Sequence, residues 1–157
     1  MHKIGCLSEA ELKRFAKLVA FHLAGGEVLL LSGPIGSGKT TFVKGMASEL
    51  GIESSQIHSP SFALMNTYIG KKFVVYHVDL YRIDEPDMNL LMELEEILED
   101  DKSVVIVEWP ERSASFWGDF LEVHLEYCSY SERKLFIRAR GDRYQRVVSE
   151  VIRRWHH

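Results

Sequence analysis

The chain has 157 residues and a formal net charge of -4, with 46% hydrophobic and 27% charged residues. That length and composition suit one domain, residues 1–157, with a packed core, and exclude a disordered chain. Residues 1–130 carry 11 Lys and Arg against 20 Asp and Glu, whereas residues 131–157 carry 8 against 3. A protein that coats nucleic acid along its length is basic throughout, so that class falls away. Only the C-terminal segment keeps a local RNA contact open.

Cys6 and Cys128 are far apart and show no CxxC spacing, so neither a disulfide scaffold nor a zinc site is supported. The expectation is two reduced thiols in a cytoplasmic protein. No apolar run approaches the roughly 20 residues of a membrane span. The N-terminus lacks the apolar stretch of a signal peptide.

Ser8 with Glu11 forms a capping box, and Leu12, Phe15, Ala16, Val19 and Leu23 follow at helical spacing, so residues 8–24 read as an amphipathic helix closed by Gly25-Gly26. The continuous run Val28–Leu31 suits a strand buried on both faces, as in a parallel sheet. A glycine-rich turn and a helix from about Thr40 to Leu50 come next. Residues 62–69 and 72–78 read as strands joined by a tight turn at Gly70-Lys71. Leu90–Leu98 reads as an acidic helix within residues 84–101, which hold nine acids and no Lys or Arg. Val104–Val107 is a second buried strand. Residues 120–128 and 134–140 form a hairpin around Ser129–Glu132, and residues 142–155 a final helix. Interleaved strands and helices with added hairpins give an α/β fold with a mixed central sheet flanked by helices.

Gly33-Pro34-Ile35-Gly36-Ser37-Gly38-Lys39-Thr40 matches G-x-x-x-x-G-K-[ST], between a buried strand and a helix as this P-loop motif requires. Glycines let the backbone wrap a phosphate chain and turn its N–H groups inward, and the helix N-terminus adds partial positive charge. Lys39 would neutralise the β- and γ-phosphates, and the Thr40 hydroxyl would ligate Mg²⁺. A nucleotide hydrolase also needs a carboxylate at a strand end. Two apolar runs end in one, at Asp79 and at Glu108. The carboxyl edge of an open α/β sheet is where ligands bind. Asp79 is assigned to Mg²⁺, and Glu108 to the attacking water or the second shell of the metal, with the exchange of roles left open. Neither the D-x-x-G nor the N-K-x-D signature of GTPases occurs, so adenine is the expected base.

The set GPIGSGKTT (residues 33–41), Ser59-Pro60-Ser61-Phe62, His77-Val78-Asp79-Leu80-Tyr81-Arg82 and Glu108-Trp109-Pro110-Glu111 resembles the bacterial TsaE (YjeE) ATPases over roughly residues 8–140. The resemblance implies a P-loop NTPase fold and a part in making threonylcarbamoyladenosine in tRNA, together with the TsaB–TsaD pair. It implies that ATP hydrolysis resets or licenses that complex, and that Ser59-Pro60-Ser61 is a switch-like loop sensing the γ-phosphate. Gly33, Gly36, Ser37, Gly38, Lys39, Thr40, Thr41 and Ser61 are then the nucleotide contacts, with ATP and Mg²⁺ as cofactors. The chain departs from the family at Pro34, where Asp or Asn is common, and at Ser61, where Thr is common. Pro34 removes one backbone N–H from the loop, and Ser61 keeps the hydroxyl.

Other residues admit a functional and a packing role. Strand alternation would turn Trp109 away from Glu108 into core or sheet packing, and the resemblance brings it equally to the nucleotide site or a partner surface. Arg82 could reach phosphates or pair with Asp84, Glu85 or Asp87. His77 shares a face with Asp79 and could orient it, or be a satisfied buried histidine. Tyr68, Tyr76 and Tyr81 read as half-buried strand aromatics. No cis arginine finger stands out, so slow hydrolysis alone and faster turnover with partners is expected. The competing functions are a small-molecule kinase, which would need an acceptor-dependent ADP yield, and a nucleotide-gated binding module, which would not hydrolyse ATP.

Overall fold

The computed structural model describes residues 1–60, 64–83, 85, 87–113 and 116–156. Seven strands form one sheet: β1 (His2–Ser8), β2 (Val28–Ser32), β3 (Met65–Ile69), β4 (Val74–Asp79), β5 (Ser103–Glu108), β6 (Phe120–Tyr127) and β7 (Glu132–Arg140). Their order is β1-β7-β6-β2-β5-β4-β3. The central four, β6-β2-β5-β4, run parallel, and the outer strands are antiparallel.

The aliphatic runs explain that centre. Every residue of β2 and β5 is buried. Successive side chains point to opposite faces. Leu29 and Leu31 therefore join one core with Ile106, and Val28 and Leu30 join the other with Val105 and Val107. Helices α1 (Glu9–Phe21), α2 (Lys39–Leu50) and α4 (Asp142–Trp155) cover the first face. Helix α3 (Met88–Leu98) covers the second through Leu94, with Trp117 and Phe120 beside it. The capping box is formed: the Ser8 hydroxyl accepts from the Glu11 N–H, and the Glu11 carboxylate accepts from the Ser8 N–H.

Three expectations are corrected. No strand was expected over residues 2–8, yet β1 pairs with β7, with a register shift between Lys3 and Gly5. The β3–β4 connection spans residues 70–73 rather than Gly70-Lys71, because Ile69 pairs with Val74. Cys6 and Cys128 form a disulfide with Cα atoms 6.0 Å apart, not two free thiols. The bond exists because β1 lies against β7 and so reaches the base of the β6–β7 turn. The expected start of β3 at residues 62–63 lies outside the described residues. Among the described residues no helix is long and apolar enough to cross a membrane.

Candidate nucleotide site

The parallel register gathers the candidate residues. Leu31 of β2 lies beside Glu108 of β5, and Glu108 beside Asp79 of β4. The P-loop leaves β2 two residues after Leu31, so loop and carboxylates share the carboxyl edge. They line a cleft of about 420 Å³, together with Ser59, Tyr81, Arg82 and Trp109. Gly33 has φ +136, and a methyl group there would collide with the Leu125 carbonyl and crowd the Ser37 hydroxyl. Only glycine fits that start of the loop.

Lys39 opens α2 and is buried. Its ammonium donates to the Gly33 carbonyl at 2.6 Å and sits 3.9 Å from the centroid of the Trp109 ring. Burial holds it below the usual lysine range, against the opposing pull of Glu108, Asp79 and Glu111. A desolvated cation between a backbone cradle and acids is set to take an anion. Asp79 and Glu108 are also buried. Asp79 Oδ1 accepts from the Tyr81 N–H at 2.9 Å, and Oδ2 from the Ser59 hydroxyl at 3.3 Å. Glu108 Oε2 lies 2.5 Å from His77 Nε2. His77 therefore serves Glu108, not Asp79.

Two aromatics lie just past the strands and so escape strand alternation, because β4 stops at Asp79 and β5 at Glu108. Trp109 takes the left-handed conformation, φ 59, and swings back over Lys39. That backbone costs about 1–3 kcal/mol for a bulky residue, offset by the Lys39 contact and by the Tyr81 ring 4.9 Å away. Tyr81 is a cleft aromatic rather than a strand one. Ser61, with its expected phosphate contact, lies outside the described residues, as does Asp84.

Sequence reasoning missed the brace behind the P-loop. The Tyr127 hydroxyl donates to the Ile35 carbonyl, and Arg133 Nε donates to the Gly36 carbonyl at 3.3 Å. Both come from the β6–β7 hairpin, a non-local contact with no local signal. A second groove, of about 490 Å³, runs between this hairpin, the N-terminus of α1 and the loop residues Gly36, Gly38 and Thr41.

The profile of the family described as "Threonylcarbamoyl adenosine biosynthesis protein TsaE" matches residues 6–135. The chain belongs to the TsaE family. It is 40% identical over 108 residues to the tRNA threonylcarbamoyladenosine biosynthesis protein TsaE of Borreliella burgdorferi, covering 69% of this chain and 77% of the relative. It is 33% identical over 144 residues to that of Bacillus subtilis, covering 91% and 89%. The crystal structure of Bacillus subtilis YdiB superposes with a TM-score of 0.76 at 31% identity, covering 94% of this chain and 91% of that one. The fold is thus that of TsaE proteins, a P-loop NTPase fold. The Glu108–Trp109 corner and the His77–Asp79 strand end stand within the matched span of the TsaE profile.

Proposed function

We propose that the chain is a Mg²⁺-dependent ATPase subunit of tRNA threonylcarbamoyladenosine synthesis, acting on a TsaB–TsaD protein complex. The observation that carries this is a P-loop lysine lodged beside two buried carboxylates at adjacent strand ends. The names of the relatives supply the pathway.

The residues fit the cofactors. Ser37 Oγ is buried and has no hydrogen-bond partner among the described residues, inside a loop that would wrap phosphate. Among the described residues no group of three or more His, Cys, Asp or Glu could hold a metal. Mg²⁺ in nucleotide sites needs only one or two protein ligands, because phosphate and water complete its shell. Mg²⁺–ATP supplies the phosphoanhydride bond and partial neutralisation of its charge. In this reading Gly33, Gly36, Ser37, Gly38 and Thr41 hold the phosphates through backbone N–H groups, and Lys39 opposes the β- and γ-oxygens. Thr40 and Asp79 hold Mg²⁺, and Glu108 orients the attacking water or supports the metal. Ser61 reports on the γ-phosphate. Any tRNA contact falls to the basic C-terminal segment. The compartment implied is the cytoplasm, whose reducing poise would open the Cys6–Cys128 bond, so both redox forms should be assayed.

Turnover of labelled ATP is the test, measured for the pure chain and with the TsaB–TsaD pair added. Slow hydrolysis alone and stimulation by the pair are expected, since a partner-supplied arginine is worth about 10³–10⁵ in rate. Asp79→Asn should lose Mg²⁺ dependence, while Glu108→Gln should bind ATP and fail to turn over; the reverse pattern exchanges the two roles. Rapid turnover unchanged by the partners would refute the stimulated reading. ADP formation that depends on a small acceptor would mark a kinase, and binding without single-turnover hydrolysis a nucleotide-gated module.

A further inference from the structure

His77 is fully buried, yet both its ring nitrogens face groups of functional consequence. Nε2 lies 2.5 Å from Glu108 Oε2. A carboxylate oxygen accepts, so Nε2 carries a hydrogen, and in the neutral ring Nδ1 is the acceptor. Nδ1 faces the Tyr68 hydroxyl at 3.5 Å. That hydroxyl has one hydrogen and a second acceptor, the His58 carbonyl at 3.3 Å. Asn66 Nδ2 braces the pair, donating to the His58 carbonyl at 3.2 Å and to the Tyr68 hydroxyl at 3.3 Å. The next residue along the chain, Ser59, donates its hydroxyl to Asp79 Oδ2 at 3.3 Å. The segment His58–Ser59 thus reaches Asp79 directly, and reaches Glu108 through His77 when the single Tyr68 hydrogen turns from the His58 carbonyl to His77 Nδ1.

We infer that His77 is a positioning residue that fixes Glu108 for water activation, and that Tyr68 couples this pair to the His58–Ser59 segment. The inference rests on the ATPase reading above. A glutamate has several rotatable bonds, and the His77 contact pins one of its two carboxylate oxygens. A buried histidine kept only for packing would find a backbone carbonyl or a water. This one spends its donor on an acid of the cleft. Groups that orient an active carboxylate or ligand in this way cost about 10- to 100-fold in function when removed.

The test is steady-state ATP hydrolysis, with ATP affinity measured separately by a fluorescent analogue, on wild type, His77→Leu, His77→Gln and Tyr68→Phe. His77→Leu should lower kcat by about 10- to 100-fold while nucleotide affinity stays within about twofold, because the P-loop is untouched. His77→Gln, whose amide can still donate to Glu108, should recover part of that loss. Tyr68→Phe should give a smaller fall that is not multiplied when combined with His77→Leu, since both act through one thread. Thermal unfolding of each variant separates this from misfolding. If His77→Leu does not fold, Tyr68→Phe decides alone, and a wild-type kcat there overturns the coupling. A folded His77→Leu with wild-type kcat, or a His77→Gln no better than His77→Leu, overturns the positioning role while hydrolysis by wild type stands. A wild type that binds ATP and never hydrolyses it, with or without partners, overturns the ATPase reading and this inference with it.

Discussion

Glu27 is the sharpest test of what holds the scaffold apart from what binds nucleotide. Its carboxylate is buried at the turn before β2 and accepts from the Ala24 and Gly25 N–H groups, both at 2.7 Å. Arg143 of α4 approaches it at 3.1 Å and also donates to the Gly25 carbonyl. Gly25 has φ +108, and a side chain there would strike the Asp101 carbonyl, so the turn requires glycine at this position. Glu27→Ala strands the buried Gly25 N–H, at about 1–3 kcal/mol. Ala24 is exposed and water replaces its acceptor, so that loss is about 0.5–1 kcal/mol. Arg143 is about half exposed, and its ion pair adds less than about 1 kcal/mol. The sum is about 3 kcal/mol, or a fall in Tm of roughly 6–12 °C for a chain of this size. Glu27→Gln, which keeps one acceptor, should cost about half as much. Urea unfolding gives the stability, and a fluorescent ATP analogue gives the affinity. Affinity should not change, because this turn lies at the far end of β2 from the P-loop, about 17 Å of strand away. A stability loss under about 1 kcal/mol would falsify the hydrogen-bond reasoning. A matching loss of ATP affinity would show that scaffold and site are not separable in this way.

Two further outcomes are expected. Lys39 must be protonated to oppose phosphate, and burial already holds it below the usual lysine range. ATP affinity should therefore be full at neutral pH and fall as pH rises through the lowered value, before the ~10.4 of a free lysine; Lys39→Ala should bind weakly and show no such fall, and a wild-type affinity flat to about pH 10.4 would count against the buried-cation account. The Cys6–Cys128 bond spans a sequence separation of 122 residues. In the chain-entropy model its reduction should lower unfolding stability by about 5 kcal/mol, read by urea titration with and without dithiothreitol, and no change would mean that the bond constrains neither state.

The site was legible where chemistry is written locally. The P-loop spacing and the two aliphatic runs ending in Asp79 and Glu108 needed only a parallel register to meet, and β2, β5 and β4 supply it. What stayed hidden depended on partners distant in sequence or on where a strand stops. The alternation of β1 is broken at Ile4, which has no register partner, and its partner strand β7 lies near the other end of the chain. The cysteine pairing follows from that unseen strand. Reading Tyr81 as a strand aromatic extends β4 two residues too far, and Trp109, open in the sequence between core and nucleotide site, lies in the cleft. Strand geometry gave the face of His77, but only the side-chain contact across β4 and β5 showed that the acid within reach was Glu108 rather than Asp79.

The disulfide also changes what a broken chain would be. The covalent loop it closes runs from Cys6 to Cys128 and contains the P-loop, both cleft carboxylates and α3. A single protease cut anywhere inside that loop leaves one molecule on a non-reducing gel, with the P-loop and both carboxylates still covalently joined. The same cut in the reduced protein gives two pieces, held together by strand pairing and core packing without a covalent link.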